Sequence, residues 1–330
     1  MGLNETAPAR SAAALRWATR AGWATLISNI ALVATGGAVR LTGSGLGCPT
    51  WPRCTTESFT PHGALGIHQA IEFGNRMLTF VLTVIAIATV IAAFRTRRRD
   101  LRRLSLALAA GIPAQAIIGG IVVRTQLNPW LVSLHLVCSG LIIAGAVVFL
   151  HRINHPGPWA AGRWTTLSAQ MYAVMWAPVY IGTVVTGSGP HAGDAKAPRN
   201  GLDPLQVSQL HADAVFLLLG LTLALVTVTR PRISAHRVLA RPAAVLLVVE
   251  LLQAAIGFVQ YFTGLPEVIV GAHLLGAAIL IATGTWVLVR SLVFDSADQL
   301  VEPGDLGTVE DPAGSSQSDQ PALDSTAAGA

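Results

Sequence analysis

Apolar runs separated by short polar segments dominate the pattern of this 330-residue chain. Several runs approach the roughly 20 residues that a helix needs to cross the hydrocarbon core of a bilayer. Because unpaired backbone groups are costly in lipid, such runs are expected to be helical rather than irregular. The pattern therefore predicts eight transmembrane helices, with apolar stretches at 23–39, 77–94 with an upstream extension, 104–123, 131–150, 167–186, 207–228, 240–262 and 268–289.

Composition places the chain in the membrane class. Hydrophobic residues make up 52% and charged residues 12% of the sequence, whereas soluble domains contain about 25% charged residues. The formal net charge is +5, but the basic residues are concentrated between the apolar runs and do not indicate a nucleic-acid partner. We therefore expect an all-α integral membrane protein that crosses the cell membrane several times.

Arginines are concentrated in every second connection between the apolar runs. The richest connection, residues 95–103, contains six of them. The positive-inside rule places such loops in the cytoplasm. Both termini are then cytoplasmic, and the segments 36–54 and 187–204 face outward.

The two halves of the chain resemble each other. Residues 115–135, QAIIGGIVVRTQLNPWLVSLH, and residues 253–273, QAAIGFVQYFTGLPEVIVGAH, share the interval from Gln to His and a glycine four residues after the Gln. GGAVRLTGSG from residue 36 is echoed more weakly by GTVVTGSG from residue 182. Because each copy has four helices, the copies have the same orientation and are related by an axis along the membrane normal. The sequence thus predicts two pseudo-symmetric four-helix bundles.

The repeat and the polar segments divide the chain into five parts. An N-terminal cytoplasmic segment precedes the first bundle, and a cytoplasmic linker joins the two bundles. The acidic end of the chain has too few apolar residues to fold, so we expect a disordered cytoplasmic tail. In order, the parts are 1–22, 23–150, 151–166, 167–290 and 291–330.

Four histidines lie near the outer ends of the even-numbered helices: His68, His135, His211 and His273. Ionisable groups inside a membrane are costly and mark functional sites, although one such histidine can also be a packing residue bonded to a carbonyl. His135 and His273 are equivalent in the repeat, and two imidazoles facing each other across a four-helix bundle commonly hold a haem. Zinc is the rival, but no cysteine or carboxylate cluster accompanies His211 and His273.

Six motifs, taken together, are more specific than any one of them. They are GGAVRLTGSGLGCPTWPRC from Gly36, IEFGNRM from Ile71, SLH ending at His135, GTVVTGSGPHAGD from Gly182, QLHAD around His211 and GAHLLGA around His273. Over about residues 17–290 the chain resembles the haem A synthase family, in an actinobacterial-type form. The resemblance implies an enzyme that oxidises a methyl group of haem O to a formyl group. It also implies that His211 and His273 hold a haem b in the C-terminal half, and that the N-terminal half receives the substrate haem.

The second helix departs from the family's pattern. The common family motif is Glu-x-x-His-Arg, whereas this chain has EFGNR, in which Asn75 stands in place of the histidine. Aligning the second helix on the sixth puts Asn75 opposite His211, so the repeat also indicates a missing ligand. His68 lies on roughly the same helix face, about 10 Å away along the axis. Either His68 contributes to the substrate haem site, or His135 alone holds the haem and leaves an open coordination position.

Glu72 is the predicted catalytic residue. Oxidising a methyl group to an aldehyde releases protons at each stage, and the resemblance places this carboxylate where it can accept them. The alternative is a structural ion pair with Arg76, worth about 0.3–0.5 kcal/mol on an exposed helix. We expect Arg76 and Asn75 to line the substrate haem site, where a guanidinium either pairs with a haem propionate or extends to the lipid headgroups.

Family members often carry a cysteine pair in the first outer loop, which implies a disulfide between Cys48 and Cys54. Disulfides persist in the oxidising compartment that this loop is expected to face. The bond would either stiffen a lid over the N-terminal haem site or exchange electrons during turnover. The structural role is favoured, because the sequence shows no redox partner for the pair.

Two other functions use similar residues. A b-type cytochrome would need histidine pairs only to pass electrons, and a haem transporter or chaperone would bind haem without altering it. Only a synthase would make a formyl-bearing haem. The resemblance implies haem O as substrate, and it implies a haem O synthase, oxidase assembly factors and a membrane electron acceptor such as the quinone pool as partners.

Overall fold

All eight predicted segments are helices in the computed structural model of the protein. The structure describes residues 7–61, 66–161, 163–229 and 237–298, and no strand occurs among them. Each helix is longer than its predicted apolar stretch, because polar turns extend its ends. The helices are α1 Ala7–Leu41, α2 Ile67–Arg95, α3 Arg99–Arg124, α4 Pro129–Asn154, α5 Arg163–Ser188, α6 Pro204–Val228, α7 Arg237–Phe262 and α8 Glu267–Asp298.

Seven of these helices are long and apolar enough to cross a membrane. The exception among the described helices is α5, whose 26 residues include a polar first half. Thr165 and Ser168 in that half are buried, so they face protein rather than lipid. The prediction of an all-α, multi-pass membrane protein is confirmed.

Helical structure extends past the predicted segment boundaries. α1 begins at Ala7 and α8 continues to Asp298, so both helices reach into the segments expected to flank the bundles. The predicted linker at 151–166 contains the end of α4 and the start of α5. The rest of the predicted tail, 299–330, lies outside the described residues.

The helices pack in two closed cycles. In the first half α1 packs on α2, α2 on α3, α3 on α4 and α4 on α1, and α5 to α8 repeat this order in the second half. The halves meet where α8 packs on α1 and α4, and where α4 packs on α5. This is the order of contacts expected of two adjoining four-helix bundles, and we retain that arrangement as our interpretation.

The turns that lead into α4 and α8 have the same backbone conformation. Leu127 and Leu265 both have a φ of 62°, which is uncommon for a residue with a Cβ atom. The Leu127 amide donates to the Val122 carbonyl at 2.9 Å, and the Leu265 amide donates to the Gln260 carbonyl at 2.7 Å. The structure therefore carries the sequence repeat down to single hydrogen bonds.

Capping residues set the start of two helices that carry candidate histidines. Asn128 precedes α4 and Asp203 precedes α6, and each side chain accepts a hydrogen bond from the amide two residues later. Proline follows both caps, where its missing N–H costs nothing. His135 and His211 consequently lie about two turns inside their helices.

Hydrogen bonds to main-chain carbonyls join the outer connections of the two halves. Arg40 at the end of α1 donates from Nε to the His191 carbonyl at 2.6 Å and from Nη2 to the Thr186 carbonyl at 3.0 Å. The Gly45 amide donates to the Gly193 carbonyl at 2.8 Å. The first connection is thereby fixed against the connection between α5 and α6.

Candidate functional site

Two histidines face each other inside the second half. His211 on α6 and His273 on α8 have ring centroids 6.4 Å apart and ring planes inclined by 74°. An imidazole nitrogen binds a metal ion at about 2 Å and lies about 1 Å from the centre of its own ring, so rings on opposite sides of one ion have centroids about 6 Å apart. The pair therefore has a spacing at which both rings could bind one metal ion, such as the iron of a haem.

Glycines allow both rings to lie against a helix backbone. A Cβ atom at Gly182 of α5 would lie 3.1 Å from Cε1 of His211, and one at Gly257 of α7 would lie 3.5 Å from Cε1 of His273. A side chain at Gly182 would crowd the His211 ring, because protein interiors leave no slack for it. The glycine four residues after Gln253 in the repeat thus packs under the histidine ring.

The three histidines inside the bundles have orphaned ring nitrogens. Nδ1 of His135, His211 and His273 is buried without a hydrogen bond of standard geometry, although the Pro178 backbone lies near the His211 ring. Buried polar atoms are nearly always bonded, so these rings fit ligation of a bound group. Within the described ranges no three His, Cys, Asp or Glu side chains cluster, which suits paired axial ligands better than the three or four ligands of zinc.

A glutamine holds the backbone of each repeated histidine. Gln115 Nε2 donates to the His135 carbonyl at 3.2 Å, and Gln253 Nε2 donates to the His273 carbonyl at 3.0 Å. Gln115 also donates to Oγ of Ser139 at 2.6 Å. These bonds fix the helix turn from which each imidazole projects, so the Gln-to-His interval in the sequence is a positioning device.

The first half offers one imidazole where the second half offers two. The His135 ring on α4 lies next to Gly119 of α3, where a Cβ atom would be 3.4 Å from Cε1. At the position equivalent to His211, Oδ1 of Asn75 accepts a 2.9 Å hydrogen bond from Oγ1 of Thr35 on α1. The amide is therefore engaged with the neighbouring helix.

Glu72 is bonded to the loop between α1 and α2. Cys48 and Cys54 in that loop form a disulfide, and both are buried. Glu72 is 5% exposed, and its Oε2 accepts the Cys48 amide at 2.5 Å. Its Oε1 accepts Nη2 of Arg76 at 2.5 Å and Nε at 3.1 Å. The expected ion pair with Arg76 is present, and the carboxylate also anchors the disulfide loop.

The guanidinium group of Arg76 binds main-chain carbonyls of the same loop. Nη2 donates to the Cys48 carbonyl at 2.9 Å, and Nη1 donates to the Thr50 carbonyl at 3.1 Å and the Arg53 carbonyl at 3.3 Å. These donors are directed at the loop in this structure. A propionate contact would require Arg76 to exchange at least one of these bonds.

His68 lies at the exposed outer end of α2. Its Nδ1 is 2.9 Å from Oγ of Ser44, so it contributes a second attachment between α2 and the first outer connection. The structure brings His68 together with Ser44, whereas Glu72, one turn further along α2, meets the disulfide. Three of the four candidate residues of α2, His68, Glu72 and Arg76, therefore contact the first outer connection.

Several partners of these residues were not predicted from the sequence. Thr35 fixes Asn75, Ser44 engages His68, and the indole of Trp51 fills the space beside Gly120, leaving no room for a Cβ atom there. Arg124 donates to the Trp51 carbonyl at 3.1 Å, which closes the loop over the end of α3. The sequence offers only a weak indication of these contacts: Ser44 belongs to the repeated TGSG motif, and Trp51 belongs to the motif that begins at Gly36.

Comparisons with known proteins address the whole arrangement. The family model described as cytochrome oxidase assembly protein, COX15-CtaA, matches residues 19–70 and 66–197, which is more than half of the chain. A protein named Heme A synthase from Listeria welshimeri is 26% identical over 280 residues, covering 78% of this chain and 90% of the relative. Heme A synthases of Geobacillus thermodenitrificans and Geobacillus kaustophilus are 30% identical over 146 residues and 33% identical over 116 residues.

Coverage differs among these relatives. The Geobacillus matches cover 42% and 33% of this chain, and 44% and 34% of the relatives, so the chain spans less than half of their length in those alignments. The matched family segment contains the disulfide loop, Glu72 and His135. Because this family model matches more than half of the chain, the chain belongs to the cytochrome oxidase assembly protein family.

Proposed function

We propose that this protein is a haem A synthase, which oxidises a methyl group of haem O to a formyl group and supplies haem A for terminal oxidases. One observation carries the proposal: His211 and His273 form a pair in one half, whereas in the other half Asn75, bonded to Thr35, stands at the position that the repeat makes equivalent to His211. A paired site suits a resident cofactor. A site with one imidazole suits a haem that arrives, reacts and leaves.

In this proposal the second half holds haem b through His211 and His273. When bound there, the haem supplies one-electron chemistry at an iron with two protein ligands. Gly182 and Gly257 give the rings their place against α5 and α7, and Gln253 fixes the turn that carries His273. The surrounding apolar helices exclude water from the site.

The first half receives haem O through His135. Asn75, held by Thr35, leaves the opposite side of this site without an imidazole. His68 contributes at the outer end of α2 if it leaves Ser44, and Arg76 contributes if it exchanges a loop carbonyl for a propionate. His135 is thus the principal contact of the substrate.

Glu72 accepts protons from the reacting substituent. Converting a methyl group to a formyl group removes four electrons and four protons when the oxygen atom comes from water, and a positioned carboxylate speeds such proton transfers by about 10²–10⁴-fold. The Cys48 amide and Arg76 hold the Glu72 carboxylate in one orientation. The disulfide stiffens the loop that supplies the first of these donors, which is the structural role expected of it.

The proposal also implies partners and a membrane for the protein. Haem O comes from a haem O synthase, oxidase assembly factors take the product, and electrons leave to a membrane acceptor such as the quinone pool. The proposal assigns the chain to the plasma membrane, and the arginine-rich connections support an orientation with both termini in the cytoplasm. The two bundles at 23–150 and 167–290 are then the substrate half and the cofactor half.

Expression in a bacterium that makes haem O but not haem A tests the activity. The haems are extracted and separated by chromatography with mass detection. The proposal predicts a formyl-bearing haem that appears only with the intact protein. Recovery of haem b alone, despite abundant haem O, would contradict it.

A b-type cytochrome is the second candidate, because the His211 and His273 pair alone would serve electron transfer. It predicts a redox-active haem b and no change in the mass of haem O. A haem transporter or chaperone also leaves haem O unchanged, but it predicts that the bound haem exchanges with added haem. The product analysis separates both from the synthase.

A further inference from the structure

A carboxyl group lies deep in the second half, away from the paired histidines. Glu250 on α7 is 4% exposed, and its Oε1 accepts a 2.7 Å hydrogen bond from Oγ1 of Thr222 on α6. Its Oε2 is buried without a hydrogen bond. No basic side chain among the described residues forms an ion pair with it. Because an unpaired charge in an apolar interior is costly, packing alone does not explain this residue.

The same place in the first half is apolar. In the repeat register that pairs Gln115 with Gln253, Glu250 corresponds to Ile112, and in the register that pairs Asn75 with His211, Thr222 corresponds to Ala86. Ile112 and Ala86 belong to one buried apolar cluster. The scaffold therefore packs without a polar pair here, and Thr222 with Glu250 is specific to the half proposed to hold haem b.

Orphaned acceptors on α7 lead from Glu250 towards the turn that carries His273. Gln253 and Gln260 each have a buried Oε1 without a hydrogen bond, and they follow Glu250 by three and ten residues, which places them on one helix face. Nε2 of Gln253 donates to the His273 carbonyl. Polar side chains on one face of α7 thus extend from Glu250 to Gln253, which contacts the helix that carries His273.

We propose that Glu250 is a redox-linked proton-binding site. Its carboxyl group binds a proton less tightly, by about sixfold, when the haem iron between His211 and His273 has lost an electron than when that iron is reduced. On oxidation one electron passes to an acceptor of the quinone class, and in a fraction of the molecules the carboxyl O–H bond breaks and the proton passes to solvent; reduction reverses each change. This inference rests on the haem b site of the proposed function.

Charge balance gives the size of the linkage. Oxidation adds one positive charge to the bundle, which a carboxylate in the same bundle stabilises. Thr222 lies eleven residues beyond His211 on α6, about 16 Å along the axis. At an effective dielectric constant of about 20, unit charges at that separation change the redox equilibrium about sixfold, which corresponds to about 45 mV.

The remaining titratable groups on the packed helices do not pair with Glu250. In the described part of the chain its side-chain hydrogen-bond partner is Thr222, and Arg290 of α8 lies within hydrogen-bond distance of His155, directly after α4. Among the described residues, no charged side chain forms an ion pair with Glu250 that would fix its protonation state. The titratable groups on the helices that pack around Glu250 are His211 and Asp213 on α6, Glu267, His273 and Arg290 on α8, and Arg241 and Tyr261 on α7.

Redox titration of the purified holoprotein at several pH values tests the proposal. The wild-type midpoint potential of haem b should fall by about 45 mV, about sixfold in the redox equilibrium, between its acidic and alkaline plateaus, because the carboxylate favours the oxidised iron. Glu250→Gln keeps the shape but has no proton to release, so its potential should stay at the acidic plateau. Glu267→Gln removes an exposed carboxyl group from the same half and should leave the wild-type step unchanged.

Redox-induced infrared difference spectra give a second readout. A carboxyl band should appear on reduction of the wild type and be missing from Glu250→Gln. A wild-type potential that does not vary with pH, or a step that survives in Glu250→Gln, would overturn the proposal. A haem spectrum unaffected by His273→Ala would instead overturn the cofactor site itself, and this inference with it.

Discussion

The first half and the second half share their backbone devices but not the side chains that would meet a haem. In both halves a glutamine amide donates to the carbonyl of the repeated histidine, and a glycine packs under that histidine ring. The second half has His211 on α6, facing His273, and the first half has Asn75 at the equivalent position of α2. The repeated scaffold thus places one imidazole in each half, and a single position on α2 or α6 decides whether a second imidazole accompanies it.

The halves differ in their outer covers as well. A disulfide loop anchored by Glu72 and Arg76 covers the first half. The connection between α5 and α6 has no cysteine and is held instead by Arg40 from α1. An ion pair on α2 thus holds a covalently stiffened loop in the first half, whereas the connection in the second half is held by one arginine and has no disulfide.

The largest expected effect comes from Glu72. Glu72→Gln keeps an acceptor for the Cys48 amide but removes the base, so haem A formation should fall about 100-fold or more. Glu72→Ala should lose the activity and also about 1–3 kcal/mol of stability, because the Cys48 amide loses its partner. Haem A yield and thermal unfolding in detergent measure the two effects. Wild-type turnover by Glu72→Gln would leave Glu72 only its structural role.

Asn75→His should make the first half resemble the second. A second imidazole opposite His135 completes a pair, so haem O should stay bound through purification and show the spectrum of iron with two histidine ligands. Haem content per protein should rise from about one to about two. Asn75→Ala, which also breaks the bond to Thr35, is the control and should not retain the extra haem. Equal retention by both variants would exclude the proposed ligand position.

Removing the disulfide should have a moderate effect. Replacing Cys48 and Cys54 by serine frees a short loop, and chain entropy predicts a loss of about 2 kcal/mol in the free energy of unfolding. Thermal unfolding measures the loss. At temperatures below the lowered midpoint of unfolding, the double variant should still form detectable haem A. Abolished turnover in a folded double variant would assign the pair an electron-exchange role instead.

The smallest expected effect separates the roles of His68. His68→Ala removes one hydrogen bond, and Ser44→Ala removes two because its Oγ also lies 2.7 Å from Oγ1 of Thr42, so each variant should lose about 1 kcal/mol of stability per bond. Thermal unfolding of both variants checks the cost, and the yield of haem A should be unchanged in both. Loss of haem A formation in His68→Ala alone would show that His68 contributes to the substrate site.

Much of the fold could be predicted from the sequence because hydropathy and the repeat act over whole helices. Eight apolar runs became eight helices, and the equal Gln-to-His intervals became equal hydrogen bonds at Gln115 and Gln253. The polar first half of α5 was not recognised as buried, since Thr165 and Ser168 face neighbours that only tertiary packing supplies.

The site could be predicted less completely. The missing imidazole at Asn75 was visible from the repeat, but its bond to Thr35 depends on how α1 packs against α2. Likewise, the ion pair of Glu72 and Arg76 follows from their spacing, whereas the bond to the Cys48 amide depends on the path of an irregular loop. Spacing along one helix is encoded locally, and contacts between a loop and a helix are not.

The most direct measurement is the haem content of the wild type, His273→Ala and His135→Ala proteins, purified from cells that make haem O. Different roles for the two halves predict that His273→Ala loses haem b. They predict that His135→Ala keeps haem b but yields no formyl-bearing haem. Loss of the same haem from both variants, or formyl-bearing haem from His135→Ala at the wild-type level, would contradict the division into a cofactor half and a substrate half.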